Sequence, residues 1–457
     1  MPEKSVNTIA ETVADWLVAS QTRALPPAVV ETCRKLFLDV VGLCVAARNE
    51  DYVAATLAAG GPGGCTAFGH AGGCDPFSAA LVNGTAAHGE DFDDTFEGGP
   101  VHSGAVIIPA ISALCEKEGL GGDRFLIGVA TGVELLCRLS LVTPKAIHKA
   151  GFHPTAVFGT MAAAGACAAA LGLDRARTVS AMGVAGSMAS GIIEYLAEGT
   201  WTKRMHAGWS AQSGLRAALM ARGGFLGPRT VFEGTHGFYK AFAPSAAPAF
   251  NLLLDGLGEN WLMEDIAYKP YACGTMTQPF IDCAIKLAES GVKADDIADI
   301  VCKVGEGTVH RLWEPLAVKH APNTPFGAKF STPFCMAIGF FDRKAGLAQF
   351  TEAAIGNPDA LKLAAKIRYE IDPNDEYPNN FTGHLRATLR DGSIKEFRQP
   401  HMRGGARQPL TTTDLESKCV DNALHGGWNA GQAESLRAMS RDLFAAKTLA
   451  AFASLRA

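Results

Sequence analysis

The run FGTMAAAGACAAALG, residues 158–172, constrains the fold more than any other stretch of this chain. The distance between packed helices depends on the side chains at the contact, so alanine and glycine let neighbours come close. The run therefore predicts a central packing helix. Its glycines and flanks leave it short of a membrane span, and no uninterrupted apolar run elsewhere reaches about 18 residues. Helical periodicity surrounds it. Ile9, Val13, Trp16 and Leu17 form one stripe, and Pro26-Pro27 opens a second helix through Val29, Cys33, Leu36 and Val40. Further helices are predicted over 76–90, 105–118, 122–141, 154–171, 174–190 and 209–222.

The texture changes near residue 260. IADIVCKVGEG, AAKIRYEIDP, FTGHLRATLRDGS and IKEFRQP carry alternating, β-branched patterns, and the Asp391-Gly392 pair marks a hairpin turn. Helices over 276–290 and 331–344 lie between these strands. After RGGARQPLTTTDLESKC the pattern is helical again, over 411–424 and 430–446. The expected fold class is mainly α: a large all-helical domain built from both chain ends, 1–265 and 406–457, with a smaller α+β domain inserted over 266–405. At 457 residues the chain is long enough for two cores.

Composition narrows the function classes. The formal net charge of -5 argues against nucleic acid or an anionic membrane as the main partner. A small anionic substrate is compatible with it, because a site's local field can oppose the net charge. The 12 cysteines show no CxxC pair and no zinc-finger spacing, and most lie in apolar helical patterns. Cys65 and Cys74 sit in a Gly-rich stretch expected to be a loop. The N-terminal MPEKSVNTIAETVADWLVAS is acidic and amphipathic, unlike a secretory signal. A reducing, cytoplasmic setting is expected.

The stretch that calls for chemistry is NGTAAHGEDFDDTFEGGPVHSG, residues 83–104, set between two apolar segments. On a continuing helix His88, Asp91 and Thr95 share one face, with Asp94 close to Asp91. One reading is a solvated helix end, although acids at a helix C-terminus oppose its dipole. A second is a magnesium site, since DDTFE (93–97) has the aspartate-rich spacing of terpenoid synthases. That site needs a facing acidic set, and the only other match, DDIAD (295–299), precedes a predicted strand in the other domain. The third reading is proton transfer. Three basic patches supply its remaining parts: GFHPTAVFG, with His153 opening the Ala-rich helix; Lys203, Arg204 and His206, expected just before a helix start; and Lys269 in AYKPYACGTMTQP. Together they favour a polycarboxylate ligand.

NGTAAHGEDFDDT, His-Ser-Gly, GFHPTAVFGT, GTWTKRMHAGWSAQSGLRAALMA, KPYACGTMTQP and RGGARQPLTTTDLESKC occur in this order along nearly the whole chain. This series resembles the MmgE/PrpD family, which includes 2-methylcitrate dehydratase, cis-aconitate decarboxylase and iminodisuccinate epimerase. The resemblance implies a homodimer, a site between the two domains, and no metal, iron–sulfur cluster or organic cofactor. It also implies site residues. His102 is the first choice for proton transfer and His153 the second acid/base. Lys203 and Lys269 are assigned to substrate carboxylates and developing charge, and Asp91 orients a histidine or lysine. Thr95, Ser103, Arg204, His206, Tyr271 and Gln278 complete the expected substrate contacts. Gln278 stands where many members have histidine, and Phe334 where several have tyrosine. Gly274 stands where decarboxylase-like members can carry another histidine. These departures weigh against the decarboxylase and against a strict methylcitrate dehydratase. The leading expectation is a cofactor-independent dehydratase-type lyase on a di- or tricarboxylic acid. An epimerase or isomerase, a decarboxylase, and a catalytically silent metabolite binder are the alternatives.

Overall fold

A computed structural model describes residues 7–99 and 101–456. The first six residues of the N-terminal stretch and Pro100 of FEGGPV lie outside the described residues. The chain divides into two compact units, residues 1–267 with 412–457 (unit 1) and 268–411 (unit 2). Helices dominate, as the apolar periodicity predicts.

Unit 1 opens with α1 (Ile9–Ser20), α2 (Pro27–Ala46) and α3 (Asp51–Ala58). The antiparallel pair β1 (Pro62–Thr66) and β2 (Gly73–Cys74) follows, so Cys65 and Cys74 lie on paired strands rather than in a loop. Next come α4 (Pro76–Gly89), β3 (Thr95–Phe96), α5 (Gly104–Glu118), α6 (Gly122–Leu141) and α7 (Ala146–Lys149). The stretch ends with α8 (Pro154–Leu171), α9 (Arg175–Met188), α10 (Tyr195–Glu198), α11 (Thr202–Arg222) and β4 (Ile266–Ala267), which pairs with β3.

The Ala-rich run is the centre of this unit. α8 packs against α5, α6, α9 and α11, and every residue from Thr155 to Ala170 is buried. Its glycines are approach points and not breaks: a Cβ on Gly165 would sit 2.8 Å from Leu135 Cδ2. The helix runs over the expected range, 154–171, and its 18 residues reach the spanning length that its glycines and flanks were expected to deny it. By length and composition alone it could cross a membrane, but 89% of that window is buried inside the protein, as in a core helix.

α11 exceeds the expected range, 209–222. It starts at Thr202 and not near 209, so Lys203, Arg204 and His206 are helical residues. Its contact with α4 explains the early start. Gly84 and Gly208 meet backbone to backbone, and a Cβ on Gly84 would lie 2.5 Å from Gly208 Cα. Only two glycines allow that approach, and it brings the first turns of α11 beside the end of α4.

Unit 2 contains α12 (Gln278–Glu289), β5 (Ile297–Val304), α13 (Thr332–Asp342), β6 (Ile367–Ile371), β7 (Gly383–Leu389) and β8 (Ile394–Gln399). Its sheet has the order β6-β5-β7-β8, with β5 and β6 parallel and the other pairs antiparallel. α12 lies against β7 and β8, and α13 packs on α12. The β7–β8 hairpin turns at Asp391-Gly392, where Gly392 takes φ 84°. Residues 406–411, read above as part of the returning helical segment, belong to unit 2. Tyr268 N–H donates to Gly404 O (2.9 Å) and Gly404 N–H to Gln408 O (2.8 Å), which stitches this loop to the start of the unit. The chain re-enters unit 1 in α14 (Thr412–His425) and α15 (Ala430–Asp442). All twelve cysteines are buried and unpaired.

Candidate active site

α4 stops at Gly89, and two residues later Asp91 takes φ 58°, in the left-handed region that ends helices. His88, Asp91 and Thr95 therefore do not share a helical face as the spacing suggested. The turn sends each of the three aspartates to a different partner. Asp91 Oδ1 accepts from Lys203 Nζ at 2.9 Å. Asp93 Oδ2 lies 2.6 Å from His88 Nδ1 and 3.4 Å from His102 Nδ1. Asp94 accepts from the backbone N–H groups of Ser103 (3.0 Å) and Gly104 (2.9 Å) at the start of α5. An acid that would oppose the dipole at the end of α4 is thus placed where the next helix favours it. Burial, and then the neighbouring Asp93 carboxylate, push the Asp94 carboxyl up to about 8 despite those bonds.

His102 is fixed by two bonds. Its backbone N–H donates to Thr155 Oγ1 in the first turn of α8 (3.2 Å), and its Nδ1 lies 2.7 Å from Asp94 O. A carbonyl only accepts, so Nδ1 carries a hydrogen, and in the neutral ring the lone pair is on Nε2. The same reasoning gives His88 an Nδ1–H directed at Asp93. His88, Asp93 and His102 hold possible metal-ligand atoms within 4.8 Å of one another. The Nδ1 atoms of both histidines are thus engaged with oxygen acceptors. The arrangement is a hydrogen-bonded acid–histidine cluster.

His153 stands directly before α8, as GFHP predicts, and its backbone N–H donates to Gly191 O at 2.8 Å. Its Nδ1 is 3.2 Å from Nδ1 of His206. Ring centroids run His102–His88 4.8 Å, His88–His153 5.5 Å and His153–His206 5.4 Å, a continuous file of four imidazoles. Burial, followed by the nearby His88 and Lys203, holds His153 well below the usual histidine range and lowers His206 to about 4. A neutral imidazole buried here keeps a basic nitrogen. The unfolded chain takes up a proton at His206 near pH 6.5, and the folded chain only near 4. This contribution is intact above pH 6.5 and is lost as pH falls toward 4. Melting temperature is therefore expected to fall less steeply between pH 6.5 and 4 in His206→Gln than in the wild type.

The other expected residues are placed as follows. Thr95 is buried in β3, opposite Ala267. Ser103 is buried with its hydroxyl 3.8 Å from Cys137 Sγ, so it meets Asp94 through its backbone. Arg204 lies over the Tyr52 ring at 4.3 Å. In unit 2, Lys269 is 1% exposed. Tyr271 Oη donates to Asp282 Oδ1 (2.7 Å), Arg403 Nε donates to the same oxygen (3.2 Å), and Gln278 Nε2 donates to the carbonyls of Tyr271 and Cys273. Phe334 is fully buried in α13. Sequence reasoning left out the parts played by His88, Asp93, Asp94 and Arg403. The stretch HGEDFDDT held the signal for the first three, but only with a turn, and not a helix, after Gly89.

Residues 11–251 match the MmgE/PrpD N-terminal domain, and residues 271–442 match the MmgE/PrpD C-terminal domain. Cis-aconitate decarboxylase of Homo sapiens is 29% identical over 366 residues, covering 76% of this chain and 73% of that protein. Cis-aconitate decarboxylase of Aspergillus terreus (strain NIH 2624 / FGSC A1156) is 26% identical over 411 residues, covering 83% and 82%. Cis-aconitate decarboxylase-like protein oryM of Aspergillus oryzae is 29% identical over 437 residues, covering 90% and 89%. With both domains matched in order, and the histidines and acids of its first domain gathered in one cluster, this chain belongs to the MmgE/PrpD family.

Proposed function

We propose that the protein is a lyase of the 2-methylcitrate dehydratase type, which removes a proton next to a carboxylate of a di- or tricarboxylic acid and expels water. The observation that carries this reading is the file of four imidazoles flanked by the Lys203–Asp91 pair. Elimination needs a base at carbon and an acid at the departing hydroxyl. His102, whose neutral ring has its lone pair on Nε2 and whose side chain is 13% exposed, serves as base. His153 serves as acid in its minor protonated form: held well below the usual histidine range, it gives up that proton readily. Proton loss adds charge to an already anionic substrate, and Lys203, held by Asp91, offsets it. Thr95 and Lys269 are proposed as further partners of substrate carboxylates.

Decarboxylation is a second reading, favoured by the names of the relatives. There a C–C bond breaks, carbon dioxide leaves, and a histidine returns a proton to carbon. Homodimeric assembly is proposed from the resemblance alone, and sedimentation of the purified chain tests it. A reducing cytoplasmic location is proposed from the twelve unpaired cysteines.

Proton NMR in D₂O with 2-methylcitrate, citrate, cis-aconitate, itaconate and iminodisuccinate tests the reading. Loss of a C–H signal with new vinyl signals and no loss of carbon is the expected result. Release of carbon dioxide selects the decarboxylase. Deuterium uptake with inversion selects an epimerase, and no change on any acid defeats the proposal.

A further inference from the structure

The histidine file does not end at His153. His206 lies beyond it, on α11, and lines a cleft of about 540 Å³ together with Gly191, Tyr195, Glu198, Met205 and Trp209. His153 and His206 share one hydrogen between two Nδ1 atoms 3.2 Å apart, so one donates and the other accepts. His206 Nε2 bonds none of the described residues. Gly191, at φ 126°, borders the ring: a Cβ there would stand 2.5 Å from Ala156 Cβ, which only glycine avoids, and in ordinary contact, 3.4 Å, with His206 Nδ1. The groups facing His206 are His153 from the start of α8, Tyr195 from α10 (ring centroids 5.8 Å), His88 from α4 and Lys203 one turn earlier on its own helix.

We propose that His206 relays protons between His153 and the cleft. The inference rests on the proton-transfer reading above. When His153 gains a proton at Nε2, the nitrogen not engaged with His206, its Nδ1–H passes to Nδ1 of His206. His206 then loses its Nε2–H to a water or buffer base in the cleft. Charge and protons balance at each step, and no electrons move. In reverse the same two transfers deliver a proton from solvent to His153. His206 acts through His153 and is a positioning, proton-relaying residue. This gives the residue a different part from the substrate contact expected of it by resemblance.

The test uses the full chain with ¹⁵N-labelled histidine. His206→Asn places an amide where Nδ1 stood, which bonds His153 but cannot pass a proton on; His206→Gln is the second variant. Exchange of the His153 ring N–H with D₂O is expected to slow by roughly tenfold in both. With the acid identified by NMR, kcat in weak buffer is expected to fall by a similar factor at unchanged KM, and added imidazole is expected to restore it. Ring N–H exchange as fast as in the wild type overturns the relay. A loss of turnover that imidazole does not restore also overturns it, because a structural role is blind to buffer. Slowed exchange in a protein that turns over none of the acids keeps the relay and defeats the proposed function instead.

Discussion

His102→Asn is expected to lower kcat by about 10²–10⁴, the usual contribution of a positioned general base, while the melting temperature stays near that of the wild type. The separation of the two effects follows from the geometry. Asparagine can direct its amide N–H at Asp94 O, the 2.7 Å contact that Nδ1 makes, so the turn between β3 and α5 keeps its bond. It has no nitrogen able to accept a proton where Nε2 stood. Steady-state turnover together with thermal unfolding checks the prediction. Unchanged turnover would remove His102 from the mechanism and leave His153 as the remaining acid/base histidine.

The second large effect lies away from the reacting groups. Lys418 of α14 places Nζ 2.7 Å from Asp39 Oδ1 on α2, and both side chains are buried. The same Nζ donates to the carbonyl of Phe92 (2.7 Å) and lies 3.9 Å from the centroid of that ring. Lys418→Ala is expected to cost about 3–5 kcal/mol, because it leaves the Asp39 charge buried without its counterion. The double change Asp39→Leu with Lys418→Met is expected to recover most of that loss, since apolar groups can replace a buried ion pair. Turnover should not recover with it: Phe92 sits between Asp91 and Asp93, and its carbonyl has lost its donor. Denaturant unfolding and turnover of the three variants separate stability from positioning. Equal recovery of both would refute a positioning role for Lys418.

Local pattern and tertiary placement divide the account of this protein between them. The helices α5, α6 and α8 follow directly from apolar periodicity and end signals, as does the Asp-Gly hairpin of β7 and β8. His153 before α8 was legible because His-Pro at the head of an apolar run is a helix start. α11 was read seven residues short, because nothing in TWTKRMHAGW tells that Gly208 meets Gly84 on another helix. The acidic stretch was legible as chemistry but not as geometry. Its spacing suggested one helical face, and the left-handed Asp91 dispersed the acids to Lys203, to the two histidines and to the head of α5.

By itself the sequence determined the helical class, the Ala-rich packing helix, and which residue types are available for proton transfer. Those properties depend on neighbours three or four positions away, and periodicity records them. Only the tertiary structure decided the partners: His88 with Asp93, His153 with His206 across 53 positions, and Lys418 with Phe92 across 326. Such pairs form because packed helices bring distant side chains within hydrogen-bond reach in a buried setting. There an unpaired charge is costly, and each polar group must find a specific partner.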